Sequence, residues 1–246
     1  MSMIKRARHI GLGVIAALAV TLYGAPVLAA PASPERFEVT SIKAVRPTLV
    51  NTISALQQHD AARAKAAFED YDSAWNGVEV YISTRSKDLY DSIEHNYQAR
   101  IEKTLSGANP DTATALLDAQ AMLAKYDEAI ALVSKAAPLN PLYDDVARLR
   151  IVRAHLREVN PALKAGNIAK ARKSYTDFND QWDSIEDLIK ERSADAYVAI
   201  ESGMIKIEQA LMPDKPDAAQ VTALVNGVMG QYNGALAQVA KEASGR

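Results

Sequence analysis

Four glutamates stand where an amphipathic helix should carry apolar side chains. Glu79 lies four residues after Trp75 and three before Ile82, and Glu94 lies four after Tyr90 and three before Tyr97. Glu186, after Trp182, and Glu201, after Tyr197, occupy the same two settings later in the chain. In a helix, side chains three and four apart share a face, so all four carboxylates are expected on the core side. Counted back from a turn near residues 84–87 at about 1.5 Å per residue, Glu79 and Glu94 fall within roughly one helical turn in height. A buried carboxylate needs a cation, a proton or good hydrogen bonds. Two chemistries meet that need. One is an oxygen-rich site for iron or another divalent cation, built from Glu79 with Glu94 and Glu186 with Glu201. The other is structural: polar struts to Arg85 and Arg192, or to the Tyr90 and Tyr197 hydroxyls.

Other chemistry-bearing residues carry less. Asp70 and Asp177 each precede a glutamate by nine residues, which puts them on the opposite side of the helix as solvated or capping groups. His59, His95 and His155 recur nowhere, although His155 and Glu158 stand one turn apart. There is no Gly-x-Ser-x-Gly elbow, no Walker loop and no cysteine, so the chain is not expected to be an enzyme. The Trp and Tyr residues at 75, 182, 126 and 232 are expected as core aromatics.

The elements that must position the glutamates repeat. Residues about 41–136 recur at about 148–242, offset by 107 and then by 106 after a one-residue deletion. Asp70 maps to Asp177, Trp75 to Trp182, Glu79 to Glu186 and Glu94 to Glu201; past the deletion, Ile101 maps to Ile207, Asp111 to Asp217 and Tyr126 to Tyr232. Such a period suits a domain-sized unit used twice. Apolar residues at three- and four-residue steps predict four helices per copy: about 37–58, 60–84, one capped by Ser86, and one opened by Pro110-Asp111. Val39, Val50, Ile53 and Leu56 form the first apolar face; Leu116, Leu117, Met122, Leu123, Tyr126 and Ile130 belong to the fourth helix. Pro110 is expected in a first turn. The second copy reads as helices at about 142–165, 167–191, 193–211 and 216–242, with Pro161 expected to kink or restart its helix. Gly227, Gly230 and Gly234 suggest close backbone packing. Short connections make neighbours antiparallel, so the expected fold is all-α: two tandem antiparallel four-helix bundles related by internal duplication, at 31–137 and 138–246.

Composition bounds the partners. The chain has 246 residues, a net charge of −2 and 6% aromatics, so neither a nucleic-acid partner nor a strand-rich fold is expected on composition. Residues 1–30 read as a cleaved signal peptide: Lys5, Arg6 and Arg8 precede an apolar run from Ile10 to Leu22, and small residues follow. A periplasmic location is therefore expected.

The pattern Trp75-x-x-Val78-Glu79-x-x-Ile82 followed by Ser86-x-x-x-Tyr90-x-x-Ile93-Glu94 resembles the periplasmic helical region associated with bacterial Ftr-type iron permeases, as does Trp182 through Glu201. The likeness covers the middle two helices of each copy. It implies an accessory role in iron uptake beside a membrane permease or other envelope protein. The permease helices with their Arg-Glu-x-x-Glu motif are absent, so transport itself is not implied. A fainter similarity is to imelysin-like helical proteins, whose Gly-x-His-x-x-Glu motif is matched by His155 and Glu158, with Arg153 in place of the glycine. No small-molecule substrate is implied. The alternative expectation is a metal-free scaffold or interaction module of the envelope.

Overall fold

Helix starts are written into single side chains. Asp60 accepts the backbone N–H of Arg63, Ser86 that of Leu89, and Asp111 those of Ala113 and Thr114. The same spacing further on gives Asn167 accepting from Lys170, Ser193 from Ala196, and Asp217 from Ala219 and Gln220. Each cap satisfies donors that the first helical turn leaves unpaired.

The structure is a computed structural model describing residues 35–245, so the expected leader at 1–30 lies outside the described residues. The described residues are all-α. The helices are α1 (Phe37–Gln57), α2 (Ala61–Ser83), α3 (Lys87–Asp91), a π-helical segment (Ser92–Gln98), α4 (Ala99–Leu105) and α5 (Thr112–Lys135), then α6 (Leu142–Lys164), α7 (Ile168–Trp182), α8 (Glu186–Lys190), α9 (Ala194–Leu211) and α10 (Ala218–Ala243). Among them, no helix is long and apolar enough to cross a membrane.

α1 packs along α2 and α5, and α5 also covers the π segment and α4. α6 packs along α7 and α10, and α9 along α10 and α8. Tyr126 of α5 donates its hydroxyl to the Ile42 carbonyl at 2.8 Å, and Tyr232 of α10 donates to the Leu149 carbonyl at 2.7 Å. The two helix sets belong to one compact unit, joined along α2 and α6. Gly77 makes that seam possible. A Cβ there would fall well inside contact distance of Ile151 Cγ1.

Several expectations change. The helix expected at 167–191 stops at Trp182 and restarts at Glu186, with Ile185 in a non-helical conformation (φ −132°). The helix after Ser86 is interrupted by the π segment. That segment lies where the chain has one residue more between Glu94 and Ile101 than between Glu201 and Ile207. A π turn spans i to i+5 and accommodates one residue beyond the α-helical count, whereas α9 is α-helical throughout. Pro110 precedes the Asp111 cap rather than sitting in the first turn. α6 runs through Pro161 without a restart, the proline falling near its last turn, where few intrahelical bonds remain to be lost. Among the described residues, a Cβ on Gly227, Gly230 or Gly234 would meet nothing within 4 Å, so no packed neighbour of theirs requires glycine. Val50 and Leu117 are exposed, since the apolar stripes of α1 and α5 are narrower than the run of apolar residues.

Candidate functional site

Glu94 and Glu201 are held by tryptophan. The Trp75 indole Nε1 donates to Glu94 Oε2, and Trp182 Nε1 donates to Glu201 Oε1. Both indoles are buried among aromatics. Trp75 stacks on Tyr90 (6.2 Å, 11°) and Trp182 on Tyr197 (6.4 Å, 13°), while Tyr126 and Tyr232 pack tilted against the two indoles at 6.1 and 6.2 Å. A buried indole N–H needs an acceptor, and each glutamate supplies one from the facing helix.

Glu79 turns toward the other helix set. Its Oε1 lies 2.5 Å from Arg150 Nη1 of α6, with only 17% of its side chain exposed. Along the same seam Arg157 Nη2 reaches Asp72 Oδ2 at 3.0 Å and its Nη1 donates to Asn76 Oδ1 at 2.8 Å. Gln98, carried on the π segment, donates to Asp72 Oδ1 at 2.6 Å. Arg153, between the two other arginines on α6, donates to Asn233 of α10 at 3.1 Å.

The electrostatics follow from this crowding. Burial raises the Glu79 pKa above the ordinary glutamate value, with Arg150, Arg153 and Arg157 acting against it. Burial and then the charge of Glu79 raise Glu94, opposed by the Trp75 N–H. The Tyr90 phenol is pushed up to about 12 by burial and by both glutamates. Tyr197 is likewise raised, by burial, then Glu201 and Glu186. The charge of Glu79 thus raises Glu94, and the charges of Glu201 and Glu186 both raise Tyr197. Glu186 opens the short α8, after the break, and does not continue the helix of Trp182.

The expected arginine partners are engaged elsewhere. Arg85 meets Glu38 at 2.6 Å and Arg192 meets Glu242 at 2.7 Å. Sequence reasoning therefore missed Arg150 and Arg157, although Arg150, Arg153 and Arg157 recur at three- and four-residue steps on α6 and announce a basic face. Among the described residues, no three His, Asp or Glu side chains are grouped so as to hold a metal ion. What the arrangement can do is tie helices together through charge-assisted bonds. No protein-family model, curated protein or solved structure matches this chain.

Proposed function

We propose that this chain is a non-enzymatic helical scaffold or interaction module of the bacterial envelope, exported to the periplasm by a leader at 1–30. We further propose that it consists of two tandem antiparallel four-helix bundles, 31–137 and 138–246, that arose by internal duplication. The recurrent caps, Trp–Glu bonds and helix neighbours support the duplication. The observation that carries the functional reading is that three inward glutamates already have protein donors: Glu79 has Arg150, Glu94 has Trp75 and Glu201 has Trp182.

The second reading is a metal-binding accessory protein in iron uptake beside a membrane permease, with Glu79, Glu94, Glu186 and Glu201 as ligands for iron or another divalent cation. The repulsion between half-buried Glu79 and Glu94 favours it, because a cation would relieve that repulsion.

Glutamine separates the two, since it keeps a hydrogen-bond acceptor but loses the charge. Calorimetry of the purified protein with Fe(II), Fe(III), Mn(II) and Zn(II) should give no binding tighter than about 0.1 mM. Tighter binding that disappears in Glu79→Gln and Glu94→Gln would overturn the scaffold reading in favour of the metal one.

A further inference from the structure

A groove of about 350 Å³ runs between α2, α6 and α7, at the lower end of the range of roughly 300–1,000 Å³ that small-molecule sites occupy. Its floor on α6 includes Ile151, Ala154 and His155. Lys170 of α7 lines the groove, and its Nζ lies 2.9 Å from Glu69 of α2 and 3.5 Å from Glu158 of α6. On the α7 wall Lys173 is paired with Asp177 at 2.6 Å. Four carboxylates line the groove against two lysines, and both lysines are already paired.

Asp70 and Asp177, the recurrent aspartates read from the sequence as solvated, thus come to opposite walls of one groove. Asp70 is exposed and has no ion pair among the described residues. Ser174 lines the α7 wall, is only 8% exposed, and its hydroxyl has no hydrogen-bond partner among the described residues. The equivalent residue of α2 is Ala67, so this hydroxyl belongs to the second helix set alone. His155 adds no positive charge: burial lowers its pKa, and its Nε2 lies 2.8 Å from the Gln181 amide nitrogen, which donates to it. A neutral ring then carries its proton on Nδ1.

The four carboxylates stand on three helices, Glu69 and Asp70 on α2, Glu158 on α6 and Asp177 on α7. Spread carboxylates over an apolar floor suit an extended organic cation, whose ammonium groups reach them separately while its methylenes lie on Ile151 and Ala154. We propose that this groove binds an aliphatic diamine or polyamine, with one ammonium on Asp70, a second sharing Asp177 with Lys173, and the Ser174 hydroxyl accepting a further N–H.

Putrescine and spermidine, titrated calorimetrically into the full chain at low salt, test this. Spermidine is expected to bind more tightly than about 1 mM. Asp70→Asn should weaken it about tenfold and Ser174→Ala about threefold, with glutamate as an anionic control that does not bind. In the wild-type protein, spermidine should shift the backbone amide resonances of Ser73, His155 and Ser174. The proposal is overturned if neither amine binds within that limit, if Asp70→Asn folds normally by circular dichroism and binds unchanged, or if the shifted resonances lie elsewhere.

Discussion

Ile151 of α6 occupies the space that a side chain on Gly77 of α2 would need, and the Ala147 carbonyl oxygen lies 3.6 Å from the same point. Gly77→Ala therefore gains about 1 kcal/mol of helix propensity and loses about 1–3 kcal/mol to overpacking, for a net destabilisation. Gly230→Ala, where no described residue lies within 4 Å, should instead stabilise by about 0.5–1 kcal/mol. Urea denaturation of the two variants checks the opposite signs, and Ile151→Ala should relieve the strain in the Gly77→Ala background.

Tyr71 is fully buried and its hydroxyl has no partner among the described residues, whereas Tyr126 donates to the Ile42 carbonyl. The residue corresponding to Tyr71 in the second helix set is Phe178. Tyr71→Phe should raise stability by about 1 kcal/mol, because it removes a desolvated hydroxyl; Tyr126→Phe should lower it by a similar amount. Thermal melts of both variants give the comparison.

Glu94 has a folded-state pKa above its unfolded value, so the folded protein takes up proton there. Its contribution to stability is full below the ordinary glutamate range and is lost as pH rises through the raised value. Glu94→Gln mimics the protonated form and keeps an acceptor for the Trp75 N–H. The variant should be more stable than wild type at about pH 7, with the gap narrowing toward about pH 4. Glu94→Ala, which orphans the indole, should cost about 1–3 kcal/mol. Denaturant titrations at both pH values decide it, and a gap that widens on acidification would contradict the assigned shift.

His59 ends the turn after α1 with φ 55°, and Gly166 does the same after α6 with φ 71°. Only glycine adopts that conformation freely. His59→Gly should stabilise by about 0.5–1 kcal/mol, and Gly166→Ala should destabilise by about 1 kcal/mol. The pair can be measured in the same denaturation experiment.

Much of this was readable beforehand, for local reasons. Ser86, Asp111, Ser193 and Asp217 cap helices through their own side chains, so spacing alone located the starts. The inward setting of Glu94 and Glu201 follows from helical periodicity, and each lands on the indole of the preceding helix. The Arg150 partner of Glu79 depends instead on how α2 meets α6, which no local pattern determines. A glycine in mid-helix at position 77 was the available hint of close approach. The break after Trp182 was hidden because Ile185, Glu186 and Ile189 keep helical spacing across it.

The π segment changes what a length difference means in this chain. In an ordinary helix, one added residue turns everything downstream by about 100°, which would carry Ile101 and Leu105 out of the interior. Here the wide turn swallows the addition, and both side chains remain buried. Excising one residue between His95 and Gln98 should therefore leave a plain α-helix with its lower half still seated. Evolutionary gain or loss of single residues need not have been confined to the loops.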